Sequence, residues 1–218
     1  MNKILTIAGS DCSGGAGIQA DIKTITVHKA YAMSVITALT AQNTLGVSAI
    51  QQATPQFVAS QLQAVFEDIP PDAVKIGMTF NSEIIMTIAL NLRRYQARNV
   101  VLDPVMVAES GGKLLQDEAV ASLQRYLLPV ADMITPNLRE AGILSGLTIS
   151  DEAEMVQAAQ IISEQTPAAI LIKGGHLPGD EASDLLYFQG QVIWFKSPRV
   201  VNPNSHGTGC TLSSAIAC

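Results

Sequence analysis

Residues 4–28 read ILTIAGSDCSGGAGIQADIKTITVH, and this stretch determines the fold. It begins with an apolar run at 4–8, continues through a glycine-rich loop at 9–17, and ends in a segment of helical periodicity at 18–28. Short β-branched runs alternate with longer helical segments in the rest of the chain, which is typical of a parallel sheet with helices on its faces. We therefore expect an α/β fold in three layers, with a central, mostly parallel sheet flanked by helices on both faces.

The same patterns predict the remaining elements. Further strands are expected at 34–40, 73–77, 100–103, 133–135 and 169–173, and an antiparallel pair at 184–188 and 192–195. Further helices are expected at 55–68, 82–94, 118–127, 138–144 and 152–164, and a last one from 211 to 218. The glycine at 190 supports a hairpin between the last two strands. Because the sequence has no internal repeat or linker, a single domain over residues 1–218 is the simplest organisation.

The composition limits the possible partners. The 218 residues are 48% hydrophobic, enough for a sizeable core, and they carry a net charge of −6 with a pI near 5.0. An acidic chain argues against nucleic acid as a partner, since phosphate backbones require a basic face. The first apolar run is too short for a membrane span or a signal peptide, and three unevenly spaced cysteines indicate neither a disulfide framework nor a zinc site. We therefore expect no membrane association and a cytoplasmic location.

Residues 202–210 read NPNSHGTGC and precede the last predicted helix. Gly207, Thr208 and Gly209 keep the backbone free of bulky side chains, and a helix N-terminus binds anions through its unpaired N–H groups and its dipole. The same field is expected to lower the pKa of Cys210, towards a thiolate that accepts a proton. The segment therefore predicts a phosphate site with a nucleophile or base. The alternative is a tight turn followed by a small buried cysteine.

Ligands of open α/β sheets bind beyond the carboxyl ends of the strands, so the residues that follow each predicted strand are candidates for a site. These residues are the loop 9–17, the segment 103–107 followed by Gly111 and Gly112, the segment 135–140 and the segment 173–176. The glycine spacing in the loop 9–17 matches neither the dinucleotide fingerprint nor a Walker P-loop, and a plain strand-to-helix turn is an alternative there.

Charged residues in these segments fit a phosphorylated ligand. Asp103 and Glu140 are candidates to hold Mg²⁺ against substrate phosphates, and Lys173 is a candidate to contact a phosphate. The alternatives are helix-capping or solvated carboxylates, a surface lysine and, for His176 and His206, ordinary loop hydrogen bonds. Together the segments predict a nucleoside triphosphate with magnesium, and a small second substrate held by the first loop.

Several segments carry a family resemblance, in the same order along nearly the whole chain. They are LTIAGSD at 5–11, SGGAGIQADIK at 13–23, AQNT at 41–44, KIGM at 75–78, VLDPVM at 101–106, TPN at 135–137, KGGH at 173–176 and HGTGC at 206–210. In these segments the chain resembles the hydroxymethylpyrimidine/phosphomethylpyrimidine kinases of thiamine biosynthesis, a family with the ribokinase-like fold.

The resemblance implies an activity and its cofactors. It implies ATP-dependent phosphorylation of 4-amino-5-hydroxymethyl-2-methylpyrimidine, and then of its monophosphate to the diphosphate, with Mg²⁺. Cys210 would accept the proton of the substrate alcohol, and the backbone of Gly207, Thr208 and Gly209 would form an anion hole for the phosphoryl group. A homodimer is also implied.

The resemblance also assigns binding residues. Gln42 would hydrogen-bond the pyrimidine ring of the substrate, and Asp21 would contact the polar edge of that ring. Met78 and Val105 would pack near its face. The substrate-binding set is Gly9, Asp11, Asp21, Gln42, Met78 and Val105; the ATP-binding set is Asp103, Asn137, Glu140 and Lys173, of which Asp103 and Glu140 would organise Mg²⁺.

Other functions stay open at this point. Pyridoxal kinases that also carry a cysteine at this position are the second candidate, although AQNT and KGGH favour the pyrimidine kinases. A nicotinamide-dependent oxidoreductase is disfavoured by the irregular glycine spacing. Family members continue beyond the position of Cys218, so we expect C-terminal elements of the fold to be missing from this chain. A truncated pyrimidine-binding protein with impaired catalysis is therefore a third candidate.

Overall fold

The structure is a computed structural model, and it describes residues 1–106, 117–200, 202 and 205–218. The strands are β1 (Lys3–Asp11), β2 (Tyr31–Asn43), β3 (Gly46–Gln52), β4 (Ala73–Ile76), β5 (Val100–Leu102), β6 (Met133–Ile134), β7 (Ala169–Ile172), β8 (Glu181–Phe188) and β9 (Gln191–Pro198). The helices are α1 (Gly17–Val27), α2 (Pro55–Asp68), α3 (Ser82–Arg94), α4 (Asp117–Ser122), α5 (Leu138–Ser145), α6 (Glu152–Ser163) and α7 (Thr208–Ala217). A π-helical turn (Leu123–Leu127) and a 3₁₀ turn (Leu128–Val130) continue from α4.

The strands form one sheet in the order β3-β2-β1-β4-β5-β6-β7-β8-β9. The six strands β2, β1, β4, β5, β6 and β7 are parallel to one another. At one edge β3 pairs with β2 in antiparallel fashion, and at the other edge β8 pairs with β7 and β9 with β8, also antiparallel. In the centre, Ile4 on β1 lies level with Ala32 on β2 and with Ala73 on β4. The expected mostly parallel sheet is confirmed, and the carboxyl ends of six strands lie along one edge.

Helices cover both faces of the sheet, as expected. The larger core packs α2 to α6 against one face, where Leu5 and Ile7 point from β1. Alternate residues of a strand point to opposite faces, so Ile4 lies on the other side, in a smaller cluster with Ile25 of α1 and Ala217 of α7. The three-layer prediction is therefore correct.

The edge strand β3 was not predicted. Almost all of its side chains are exposed, so it lacks the alternation of apolar and polar residues that marks a half-buried strand. It pairs with the far half of β2, which extends to Asn43 instead of ending at Thr40. The predicted hairpin is present: Gln189 and Gly190 both have positive φ between β8 and β9, as two-residue hairpin turns require.

None of the helices within the described part of the chain is both long and apolar enough to cross a bilayer.

Candidate active site

A cavity of about 1140 Å³ opens at the carboxyl ends of the parallel strands, beside the N-terminus of α7. Most of the predicted site residues line it: Gly9, Asp11, Gln42, Met78, Asp103, Val105, Asn137, Glu140, Lys173, Gly207, Thr208, Gly209 and Cys210. Asp21 is not among the lining residues, and Gly111 and Gly112 lie outside the described residues. The topology therefore brings segments from the whole length of the chain to one place.

The loop before α7 packs directly on the first loop. Gly207 is the N-cap of α7 and has a φ of +83°, in the left-handed region that favours glycine. A Cβ atom there would lie 1.9 Å from the carbonyl oxygen of Gly15, so only glycine permits this contact. The helix begins at Thr208, three residues before the predicted start. Gly209 and Cys210 consequently lie in its first turn, where backbone N–H groups lack intrahelical acceptors.

Cys210 is half-buried in this first turn. Burial raises the pKa of its thiol above the ordinary value, and Asp21 and Asp103 act in the same direction. The positive charge of Lys75 and a hydrogen bond from the backbone of Gly17 oppose this but do not outweigh it. The expected lowering of the thiol pKa is therefore wrong, because the cost of desolvating a thiolate exceeds the favourable field of the helix terminus.

Asp11 organises the first loop. Its carboxylate accepts hydrogen bonds from the backbone of Ser13, Gly15 and Ala16 and from the Ser13 hydroxyl. His206 Nε2 lies 3.1 Å from Asp11 Oδ2 and 3.4 Å from the side-chain nitrogen of Gln42. Partial burial works to raise the pKa of Asp11, but these hydrogen bonds outweigh it and lower the pKa. His206 thus joins the α7 loop to the predicted substrate loop by hydrogen bonds.

Asp21 lies beneath the cavity, fully buried. It accepts hydrogen bonds from Lys75 Nζ at 2.8 and 2.9 Å, from Thr6 Oγ1 at 2.6 Å and from Ser214 Oγ at 2.8 Å. This placement does not support the predicted direct contact between Asp21 and the pyrimidine edge. Its acceptor capacity is used within the protein.

Lys75 was missed by the sequence analysis. It is fully buried within the apolar strand β4, yet it lines the cavity. Burial favours the neutral amine, but Cys210, Asp21 and Asp103 outweigh this and raise the pKa of Lys75. A lysine inside an otherwise apolar strand was the available signal. Val47 and Ile50 of β3 also line the cavity and were missed with their strand.

The other end of the cavity carries paired charges. Lys173 Nζ lies 2.9 Å from Asp103 Oδ1, which also accepts a hydrogen bond from Thr135 Oγ1 at 3.1 Å. Asn137 and Glu140 form a capping box at the start of α5, with both hydrogen bonds at 2.9 Å. Glu140 therefore caps a helix while its side chain lines the cavity.

The carboxyl of Glu140 has a raised pKa. Burial and the charge of Asp103 raise its pKa to about 7, while Lys173 and backbone hydrogen bonds act in the opposite direction. Two buried carboxylates with one lysine between them favour an added cation, and oxygen donors suit Mg²⁺. Among the described residues no group of three His, Cys, Asp or Glu side chains is placed to hold a metal. Mg²⁺ commonly binds through one or two carboxylates plus substrate phosphates, so Asp103 and Glu140 fit that mode.

Known proteins are similar to this chain in sequence. The profile of the phosphomethylpyrimidine kinase family matches residues 11–218. A hydroxymethylpyrimidine/phosphomethylpyrimidine kinase of Rhizobium meliloti is 51% identical over 214 residues, which cover 98% of this chain and 80% of that protein. The thiamine biosynthesis bifunctional protein ThiED of Geobacter sulfurreducens is also 51% identical over 214 residues, and there the chain spans 44% of the relative's length.

Solved structures share the fold. Phosphomethylpyrimidine kinase from Clostridium difficile 630 is 46% identical and superposes with a TM-score of 0.88, covering 100% of this chain and 89% of that one. Bacillus subtilis pyridoxal kinase, solved as an ADP complex, is 36% identical with a TM-score of 0.91, covering 100% and 82%. The family profile spans nearly the whole chain, and the chain is about half identical to the Rhizobium meliloti kinase over four fifths of that protein's length. The chain therefore belongs to the phosphomethylpyrimidine kinase family, a group of phosphotransferases with the ribokinase-like fold.

Proposed function

We propose that the chain transfers the γ-phosphoryl group of ATP to a hydroxymethylpyrimidine, and then to the resulting monophosphate. The observation that carries the proposal is the position of the α7 N-terminus, which lies between two chemically different ends of one cavity. Gln42 and Met78 lie beside the first loop at one end, Asp103, Glu140 and Lys173 lie at the other, and Val105 also lines the cavity. The first end suits a planar heteroaromatic and the second a polyphosphate.

The pyrimidine end combines apolar walls with directed polar groups. Met78 approaches the backbone so closely that a Cβ atom at Gly9 would lie 2.4 Å from its methyl group, which places the thioether against the first loop. Gln42 accepts a hydrogen bond from Thr40 Oγ1 through its side-chain oxygen and faces His206 with its nitrogen, so its orientation is fixed. These contacts support recognition of the ring by Gln42 and packing of its face on Met78 and Val105.

The transfer itself depends on the first turn of α7. The backbone N–H groups near Gly209 and Cys210 would stabilise the negative charge of the moving phosphoryl group. The thiolate form of Cys210 would accept the alcohol proton and become the thiol, but the raised pKa of Cys210 leaves little thiolate at pH 7. Phosphoryl transfer has a loose transition state, so we expect positioning and charge to supply most of the rate and the thiol a smaller part.

Mg²⁺ completes the proposed nucleotide end. Asp103 and Glu140 would hold it, and when bound it supplies positive charge that neutralises phosphate oxygens. Lys173, fixed by Asp103, is placed to contact the polyphosphate. ATP as the phosphoryl donor is supported by structural relatives solved with ADP and with AMP-PCP. Turnover is therefore expected to stop when EDTA removes the metal.

The experiment measures ADP release by the 218-residue chain with Mg-ATP and 4-amino-5-hydroxymethyl-2-methylpyrimidine, with pyridoxal in parallel. Pyrimidine-dependent turnover is expected, and Cys210→Ala is expected to lower kcat by about 10²-fold, the lower end of what a general base contributes. Cys218→Ala is the matched control, since it removes a half-buried thiol at the other end of the same helix. Its kcat should be unchanged.

Three results would contradict the proposal. Turnover with pyridoxal alone would favour pyridoxal kinase, a candidate supported by the TM-score of 0.91 to the Bacillus subtilis enzyme. Heat released on pyrimidine binding, without any ADP release, would favour the third candidate, a truncated pyrimidine-binding protein with impaired catalysis. A Cys210→Ala variant that loses pyrimidine affinity but keeps its kcat would remove the role as base.

The resemblance also supports a homodimer, and the composition supports a location in the cytoplasm. Sedimentation velocity at micromolar concentration is expected to give twice the monomer mass of 23.1 kDa. A monomer that persists at high concentration would remove the dimer from the proposal.

A further inference from the structure

The segment between β7 and β8 wraps around a single side chain, that of Arg199. The guanidinium donates hydrogen bonds to four backbone carbonyl oxygens, and the backbone N–H of Arg199 donates to a fifth, that of Asp180, at 2.8 Å. The four carbonyls are those of Gly175, Leu177, Gly179 and Glu181. Arg199 is half-buried, and its guanidinium ties together the backbone of this segment.

The base of the loop is closed independently of Arg199. The Gly174 N–H donates to Asp184 Oδ1 at 2.8 Å, and a Cβ atom at Gly174 would lie 1.9 Å from the carbonyl oxygen of Ser183. The ends are thus held by β7 and β8. Between these ends, Leu177 packs into the larger core and its N–H donates to the Gly174 carbonyl at 2.9 Å, while the guanidinium holds the other carbonyls of the loop.

The loop forms part of the cavity wall. Gly175 and His176 line the cavity directly after Lys173. The C=O and N–H of one trans peptide point in opposite directions. Because the Gly175 carbonyl faces Arg199, the N–H of the same peptide, that of His176, points away from Arg199.

Arg199 also directly follows β9, at the start of the connection to α7. One side chain therefore joins the loop beside Lys173 to the segment that leads into the phosphoryl-binding turn. Only arginine suits this role, since its planar fork has five donors whereas lysine has three on a single atom.

We propose that Arg199 is a positioning residue for the nucleotide, because it holds the backbone of Gly175 and His176 against the polyphosphate end of the cavity. The inference rests on the proposed kinase function for the identity of the ligand at that end. Arg199 is not among the residues that line the cavity, so in this proposal it acts through the loop.

The test compares the full chain with Arg199→Met and Arg199→Lys. Both variants are expected to raise KM for ATP and Kd for ADP by about 10-fold, a loss of about 1.4 kcal/mol. The KM for the pyrimidine and kcat at saturating ATP should change less than about 3-fold, a split that general destabilisation would not produce. In Arg199→Ala, millimolar guanidinium chloride should restore ADP affinity in part.

Lys196→Met is the matched control. It removes another cation from the same hairpin, whose exposed ion pair with Glu152 at 2.8 Å contributes little. Its Kd for ADP should equal that of the unchanged chain.

Calorimetric ADP binding separates this inference from the proposed function. A chain that binds ADP but does not phosphorylate the pyrimidine contradicts the function, while the Kd comparison still decides the role of Arg199. Unchanged ADP affinity in folded Arg199→Lys, or an equal loss of pyrimidine affinity, overturns the role of Arg199. Failure of the unchanged chain to bind ADP overturns both.

Discussion

Glycine residues allow two site loops to touch through their backbones. Gly17 has a φ of +57°, and a Cβ atom there would lie 2.3 Å from the carbonyl oxygen of Gly9. Gly207 makes the corresponding approach to Gly15 from the α7 side. Backbone contacts of this kind leave no rotamer freedom, so the contact of Gly207 with Gly15 fixes the first turn of α7 against the loop 9–17.

The buried carboxyl of Glu140 is expected to reduce stability at neutral and higher pH. Between pH 4.5 and about 7 the folded chain keeps a proton that the unfolded chain releases. The unfolded state then binds fewer protons, so the free energy of unfolding falls as pH rises through this window. Glu140→Gln cannot ionise, yet its amide oxygen still accepts the capping-box hydrogen bond. The variant should match the parent near pH 4 and exceed it by about 2–3 kcal/mol at pH 8.

Urea unfolding in EDTA without nucleotide measures this difference, since added metal would neutralise the carboxyl. Glu154→Gln is the control: Glu154 is a half-buried glutamate in the first turn of α6, and hydrogen bonds from Ser150 lower its pKa. It should gain no stability at pH 8. An advantage of Glu140→Gln that is equal at pH 4 and pH 8 would contradict the titration of this carboxyl.

At the scale of elements, the Asp21–Lys75 pair joins four of them beneath the cavity. Asp21 belongs to α1, Lys75 to β4, Thr6 to β1 and Ser214 to α7. Both charges are fully buried. Removal of one partner from such a pair leaves an uncompensated charge, whereas removal of both leaves none.

Lys75→Met and Asp21→Asn are each expected to lower the free energy of unfolding by about 3–5 kcal/mol. The double variant should cost clearly less than the sum, with a coupling energy of about 2 kcal/mol or more. Urea denaturation of the parent, both single variants and the double variant gives this coupling. The same cycle on the exposed pair Lys196 and Glu152 should give a much smaller coupling, because solvent screens exposed charges. Additive costs at Asp21 and Lys75 would show that the two charges do not stabilise each other.

Periodicity was enough to predict most of the elements, whereas many of the residues gathered at the cavity were predicted from the family resemblance. The edge strand β3 could not be predicted, because its exposed side chains carry no burial pattern. The Asp21–Lys75 pair could not be predicted either, since it joins residues 54 positions apart. The pKa of Cys210 depends on burial by distant segments, which local sequence does not contain, and so only the helix-terminus effect was foreseen.

At the scale of the whole molecule, the two faces of the sheet are covered unequally. Five helices and their turns build the larger core, whereas α1 and α7 cover the other face through a small cluster and the buried Asp21–Lys75 pair. The sheet itself is continuous from β3 to β9. Strand pairing therefore connects the two edges of the molecule through one hydrogen-bonded sheet.

The prediction of a single domain over residues 1–218 has a direct test in Trp194, the one tryptophan in the sequence. It lies on the edge strand β9 and packs, partly buried, against the larger core, far along the sheet from β1 and β2. If the chain unfolds as one cooperative unit, Trp194 fluorescence and far-UV circular dichroism should give the same urea midpoint and the same slope. The fluorescence reports the hairpin edge, while circular dichroism reports the helices on both faces. A fluorescence midpoint at clearly lower urea would mean that β8 and β9 unfold separately, and the single-domain prediction would then be wrong.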